Sequence, residues 1–134
     1  MRLCFERRRA QDGVEQFKER IAFASEAFLR RIVTYQGSVR TMIAATIARP
    51  EAVGARPGLR FAWIDAALAP AETTLASADA DALARLKRDL AVVVSPEALF
   101  TLTDLCGLSP DDAVTSAVRL ATTITATALK RTKT

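Results

Sequence analysis

The chain has 134 residues, half of them hydrophobic and a quarter charged, which suits one domain with a buried core, and we expect no intrinsic disorder outside its ends. It contains no histidine, so triads, proton relays and zinc sites that depend on histidine are excluded. The net charge of +4 comes from the first 40 residues, centred on Arg7, Arg8 and Arg9. No aromatic ladder accompanies these arginines to stack bases, so we interpret them as a solvated face rather than a nucleic-acid site.

The two cysteines, Cys4 and Cys106, lie far apart and match no metal-ligand or redox spacing. They are too few to hold a small secreted fold together, so we predict reduced thiols in a cytoplasmic protein without a metal or cofactor. The first ten residues lack the apolar core of a signal peptide, and no apolar run approaches the roughly 20 residues that span a bilayer. We therefore expect a soluble protein with no membrane partner.

The first two predicted helices follow from apolar residues spaced by threes and fours. One amphipathic helix is predicted from Val14 to Tyr35, with charged residues on its other face. Gly37 and Ser38 interrupt the pattern, and a shorter helix follows until Pro50 ends it. The residues assigned to the apolar sides of the two helices are Phe17, Ile21, Ala24, Phe28, Ile32, Tyr35, Val39, Met42, Ile43, Thr46 and Ile47.

Residues 49–59, "RPEAVGARPGL", are predicted to form a loop, after which a third helix begins. Leu59, Trp63, Ile64, Leu68 and Leu75 mark the apolar positions of this helix. Pro70 lacks a backbone donor and is expected to kink or end it, and whether the helix resumes stays open.

One long helix is predicted from Asp79 to Cys106, because apolar residues cover it nearly all round past Leu90. The run "AVVV" favours a strand locally, but no second strand-like segment exists to pair with it. We expect Pro96 to bend this helix, with Ser95 available to satisfy a freed carbonyl.

The stretch "DLCGLSPDDAV", residues 104–114, predicts the end of one helix and the start of the next. Gly107 suits a left-handed residue at a helix end, Ser109 suits a cap, and Pro110 suits a first helical position. Asp111 and Asp112 place negative charge at the positive end of the next helix dipole. A final helix from Asp111 to about Lys130 follows, with a stripe of small residues.

A connection this short favours an antiparallel pair of long helices, whose apolar surface exceeds what three smaller helices could cover. We therefore predict one domain over residues 1–134: an all-α antiparallel bundle of five to six helices. Its last two helices are expected to meet their own copy as a four-helix bundle in a homodimer. The interface prediction names Leu102, Leu105, Val114, Ala117, Leu120, Ala121 and Ile124.

Three segments in order, "GLRFAWIDAALAP", "SPEALFTLTDLCGLSPDDAV" and the alanine-rich last helix, resemble one known kind of domain. It is the C-terminal ligand-binding and dimerisation domain of tetracycline-repressor-like (TetR family) transcriptional regulators. The resemblance covers the chain from about Phe17 to its end. It implies that an effector enters an apolar cavity, changes the helix packing and so changes the separation of two DNA-reading heads.

The sequence departs from this family in two respects. Members begin with a three-helix unit containing a helix-turn-helix, and nothing before Gly13 could form one. Residues 1–12, with "RLCFERRRA", resemble the start of the connecting helix, so we expect part of a longer regulator that contacts DNA only through a missing N-terminal domain. Arg119 stands where close relatives are expected to have an aromatic residue, which affects the dimer surface.

The predicted effector site consists of inward-facing residues with bulk or polarity, although ordinary core packing is the alternative for most of them. They are Phe28, Tyr35, Met42, Trp63, Val93, Glu97 and Phe100. Glu97 either pairs with Arg119 or another cation, or anchors an effector in an apolar pocket. The same alternatives hold for Asp104.

Enzymatic activity is the competing class, and we predict that the chain is not an enzyme. There is no phosphate-binding glycine loop, no Rossmann fingerprint and no CxxC motif. Asp111 and Asp112 fit a helix start better than acid–base work, and Cys106 would need an activating neighbour. A helical adaptor that dimerises without a small molecule is the other alternative; a filled core would favour it, whereas a cavity would favour a sensor.

Overall fold

The computed structural model describes residues 2–51 and 59–131, and within them it excludes the side chains of residues 2–6, 8–11, 59 and 71–78. In this part of the chain the fold consists of six α-helices and one π-helical turn without any strand, which confirms the all-α prediction. The loop predicted at residues 49–59 lies mostly outside the described residues, as do the side chains of Cys4 and Leu75. The elements are α1 (Arg2–Thr34), α2 (Gln36–Ala48), α3 (Leu59–Ala78), α4 (Ala80–Val93), α5 (Pro96–Phe100), the π-turn (Thr101–Leu105) and α6 (Pro110–Arg131).

Helix α1 is much longer than its predicted start at Val14 allowed. It runs for 33 residues, a length of about 50 Å at 1.5 Å per residue. Residues 2–13 contain Arg, Gln, Glu and Ala, which favour helix without producing an apolar period, so a search for periodicity misses them. The helix packs mainly on α6 and next on α3. Its buried side holds Val14, Ile21, Ser25, Leu29 and Ile32.

The small-residue stripe of α6 packs inside the subunit, which corrects part of the predicted dimer interface. Val114, Ala117 and Ala121 are at most 2% exposed, and the main packing partner of α6 is α1 of the same chain. The prediction assigned this stripe to a second copy, whereas α1 of the same chain covers it in the structure. The other predicted interface residues differ in exposure: Leu105 and Leu120 are exposed, and Leu102 and Ile124 are half-buried.

The helix predicted from Asp79 to Cys106 is wrong as a single element, because the chain leaves the helical conformation at Val94 and Ser95. Pro96 has no N–H for the carbonyl of Val92, four residues earlier. As expected, Ser95 satisfies that carbonyl: its hydroxyl donates to it at 2.7 Å. The same Oγ accepts the N–H of Ala98 at 3.1 Å, so the buried Ser95 also caps α5.

Pro70 does not end its helix, because α3 continues through it as far as Ala78. The carbonyl without a helical donor is that of Ala66, four residues before the proline. Arg20 of α1 donates to this oxygen at 3.3 Å through Nη2, and to the neighbouring carbonyl of Ala67 at 3.3 Å through Nε. A side chain from another helix thus replaces the missing donor.

The turn into α6 follows the local prediction. Gly107 has φ +71°, the left-handed conformation expected of a glycine at a helix end. The N–H of Leu108 donates back to the carbonyl of Leu102 at 3.0 Å, which closes the preceding π-turn. Ser109 Oγ accepts the N–H of Asp112 at 3.2 Å, and α6 begins at Pro110. The helix ends at Arg131, one residue beyond the predicted position.

None of the helices in residues 2–51 and 59–131 combines the length and apolar character that crossing a bilayer requires.

We predict that the hydrogen bonds donated by Arg20 stabilise the fold because Pro70 cannot donate to the Ala66 carbonyl. Arg20→Met should lower the free energy of unfolding by about 1 kcal/mol, the usual net value of such hydrogen bonds. In a Pro70→Ala background residue 70 regains an N–H for the Ala66 carbonyl, so the same substitution should cost clearly less. Urea denaturation of the four proteins in a double-mutant cycle measures the difference.

Arg88→Met on the exposed face of α4 is the matched control and should leave stability nearly unchanged. If Arg20→Met lowered the free energy of unfolding equally in both backgrounds, Arg20 would not be compensating for the donor that Pro70 lacks.

Candidate functional site

A pocket of about 160 Å³ lies where the end of α1 meets α2, with contributions from α3 and α5. Three of its residues, Phe28, Arg31 and Ile32, share one face of α1, because residues three and four positions apart are neighbours on a helix, and Tyr35 follows directly after α1. The pocket is lined by Phe28, Arg31, Ile32, Tyr35, Val39, Met42, Arg60 and Pro96, and we call it the α1–α2 pocket.

Three of the predicted effector residues line this pocket and four do not. Phe28, Tyr35 and Met42 are part of its wall. Trp63 lies behind that wall, with its ring centroid 5.8 Å from that of Phe28. The remaining predicted residues, Val93, Glu97 and Phe100, pack elsewhere against the core or in ion-pair clusters.

Two polar side-chain atoms are buried without a hydrogen-bond partner in the described part of the chain. They are the indole Nε1 of Trp63 and the hydroxyl of Ser25, one turn before Phe28 on α1. Each buried unpaired group costs about 1–3 kcal/mol. Trp63 therefore has a buried N–H donor without a partner, on a side chain that packs against Phe28.

Glu97 pairs with Arg60 rather than with Arg119. The carboxylate accepts from Arg60 Nη2 at 3.0 and 3.2 Å, across an interval of 37 residues between α3 and α5. The same guanidinium donates through Nη1 to the carbonyl of Ala91 at 3.3 Å, in the last turn of α4. Arg60 also lines the pocket, so the ion-pair alternative holds and places the pair at the pocket edge.

Asp104 makes a two-pronged ion pair with Arg40, which links α2 to the π-turn. The two guanidinium nitrogens lie 2.6 and 2.8 Å from the carboxylate oxygens, and the Thr103 hydroxyl donates to the same group at 2.9 Å. The hydrogen bonds from Arg40, followed by the one from Thr103, lower the pKa of Asp104 from its ordinary 3.8 to about 2. Arg40 also lies 3.9 Å from the centroid of the Phe100 ring.

A third pair connects α1 to the start of α6. Arg30 donates to Asp111 at 2.8 Å and to Glu26 on its own helix at 3.1 Å, and these hydrogen bonds, that to Asp111 foremost, raise the pKa of Arg30. Asp111 thus has a cross-helix partner besides the dipole role predicted for it. The three pairs all join α1, α2 or α3 to residues 97–111.

Sequence reasoning missed five lining residues: Arg31, Ile32, Val39, Arg60 and Pro96. It selected apolar bulk and single acidic residues, so it passed over both arginines. The helical spacing that identified Phe28 and Tyr35 places Arg31 and Ile32 on the same face. This spacing could have been used to predict both residues as part of the site. Arg60 had no such signal, because its role depends on contacts with α4 and α5.

The described part of the chain also has other concave surfaces. A groove of about 370 Å³ lies between α4 and α6, where charged residues and threonines alternate with the apolar residues Ala82, Leu86, Ile124 and Ala128. A shallow depression lies beside Phe23 on α1. Neither contains a group of three or more potential metal ligands, and the described residues contain no such group elsewhere.

No family model, no curated protein and no solved structure matches the chain. The likeness to TetR-family domains therefore depends on the three sequence segments alone and stays a prediction.

The lowered pKa of Asp104 predicts how its ion pair responds to acid. A carboxylate with a depressed folded-state pKa stabilises the fold above its unfolded value, and this contribution disappears as the pH falls through the folded value. The stability difference between the wild type and Asp104→Asn should be constant from neutral pH down to about 4. It should then vanish between pH 3.8 and about 2.

Thermal unfolding of both proteins from pH 7 to pH 2 measures this difference. Asp81→Asn, at an exposed position in the first turn of α4, provides a carboxylate control outside the cluster. A difference that persists unchanged at pH 2 would contradict the assignment.

Proposed function

We propose that the chain is the effector-binding and dimerisation part of a cytoplasmic transcriptional regulator of the tetracycline-repressor type. A small molecule enters the α1–α2 pocket, changes the packing of the surrounding helices, and thereby changes how a preceding DNA-reading unit meets DNA. The observation that carries the proposal is the pocket itself: about 160 Å³ bordered by Phe28, Ile32, Val39 and Met42. An open cavity with an apolar wall supports a sensor, whereas a filled core would have supported an adaptor.

The position of the pocket along α1 also supports a sensor. The lining residues of α1 belong to its last two turns, while the helix extends about 50 Å towards its first residue, Arg2. A ligand that displaces one end of a stiff helix moves the other end as well. A DNA-reading unit joined to the beginning of α1 would then respond to events at Phe28 and Tyr35.

The ion pairs supply the connection from the pocket to α6. Val39 lines the pocket and its neighbour Arg40 holds Asp104 in the π-turn. One residue before the lining residue Arg31, Arg30 holds Asp111 in the first turn of α6. A ligand that binds one arrangement of α1 and α2 better than another biases these contacts, which is what effector control requires.

The proposed dimer uses the apolar side chains that remain exposed on the last elements. Leu105 is 83% exposed and Leu120 is 48% exposed, and Val92 on α4 is 70% exposed. Leu105 and Leu120 come from the original interface prediction, whereas Val92 is an addition from the structure. A second copy placed over them would bury side chains that the subunit leaves to solvent.

We expect compounds the size of one aromatic ring to raise the thermal unfolding midpoint, since a ligand at 100 times its Kd stabilises the folded state by about 2.7 kcal/mol. Val39→Trp fills the pocket and should abolish the rise. A thermal-shift screen of small aromatic and apolar compounds on both proteins measures it. Failure of every compound, or equal shifts in Val39→Trp, would contradict the pocket as effector site.

Sedimentation equilibrium tests the dimer separately. The wild type should sediment as a dimer, and Leu120→Glu should dissociate it because a carboxylate would be buried unpaired at the interface. Phe23→Glu is the control: Phe23 on α1 is 79% exposed and lies outside the proposed surface. A folded wild type that stays monomeric at high concentration would end the dimer proposal.

A further inference from the structure

The wall of the α1–α2 pocket contains more positive than negative charge. Its wall contains two arginines, Arg31 and Arg60, and no acidic residue. Arg60 is paired with Glu97 at 3.0 Å. Arg31 forms no ion pair or hydrogen bond through its side chain with any residue in the ranges 2–51 and 59–131. The pocket therefore has one uncompensated positive charge at its edge.

Arg30 and Arg31 are adjacent in the sequence but differ in their charged neighbours. Arg30 precedes it on α1 and reaches two carboxylates, Glu26 and Asp111. Arg31 points to another side of the same helix turn, where its neighbours in the pocket wall are Phe28, Ile32 and Tyr35. Arg31 is an exposed residue beside an apolar wall, and a guanidinium has five N–H donors.

The volume of the pocket indicates the size of the ligand that it can hold. A cavity of about 150 Å³ accommodates one benzene-sized molecule. The 160 Å³ of this pocket therefore suits a single ring or an equivalent short branched chain. A planar guanidinium at the edge recognises a carboxylate through two parallel hydrogen bonds.

We propose that the pocket takes a small aromatic monocarboxylate, whose ring lies against Phe28, Val39 and Met42 while its carboxylate pairs with Arg31. This inference rests on the proposed function and adds the chemical class of the effector. Glu97 holds the second arginine, Arg60, so one negative charge matches the pocket and a second would lack a partner.

Benzoate and benzamide test the charge, because they have nearly the same shape and differ in ionisation. Trp63 is the only tryptophan in the chain and lies against Phe28, so its fluorescence reports binding in the pocket, with calorimetry as the second measurement. Benzoate should bind about tenfold more tightly than benzamide, in line with a charge-assisted hydrogen-bonded pair. Raising the salt concentration should weaken benzoate alone.

Arg31→Gln should lower benzoate affinity about tenfold and leave benzamide affinity unchanged, and Arg31→Lys should recover part of the loss. Arg88→Gln, an equal change of charge on the exposed face of α4, should alter neither.

Equal affinity for the two compounds, or insensitivity of benzoate to Arg31→Gln, would overturn the monocarboxylate inference. Benzamide binding that Val39→Trp abolishes would then leave the sensor proposal in place. If neither compound binds while neutral compounds of the screen do, the inference alone fails. If nothing binds in the pocket, the proposed function fails with it.

Discussion

The close packing of α6 on α1 is the constraint around which the other helices are arranged. The buried side of α6 carries Ala113, Ala117 and Ala121, whose short side chains let the two helix axes approach and leave Ile21 and Leu29 to fill the space between them. Any larger residue in the alanine stripe would have to displace α1. The part of α1 that holds its buried residues, from Val14 to Ile32, packs on α6 within the same chain. The surface available to another molecule is consequently the opposite side of α6, which includes Leu120.

Two prolines show how the fold handles missing backbone donors by different means. At Pro96 the replacement is local: Ser95 satisfies the Val92 carbonyl and caps the next helix, so the chain turns. At Pro70 the replacement comes from Arg20 on another helix, and the chain continues as a helix. In both cases another group of the protein donates to the carbonyl that the proline leaves without a helical partner, and the choice between turning and continuing depends on where such a donor is within reach.

These examples also separate what the sequence could predict from what it could not. The roles of Gly107, Ser109 and Ser95 depend on neighbours within four residues, so the local pattern contained them. The partners of Arg20 and Glu97 are 46 and 37 residues away, and no local pattern indicates them. The α1–α2 pocket is an intermediate case, since the spacing on α1 placed Phe28 and Tyr35 on one face while Arg60 entered only through the packing of α3.

The three arginine–carboxylate pairs around the pocket have energies suited to a switch. Arg30–Asp111 and Arg40–Asp104 are substantially exposed, and exposed ion pairs contribute little to stability because water and salt screen them. A coupling energy of about 1–3 kcal/mol, the usual range for effector control, is enough to exchange such contacts. The packing of Leu29 and Ala117 in the core costs more to disturb than these pairs do. A ligand beside Arg31 would therefore act on the arginine contacts before it disturbs the packed core.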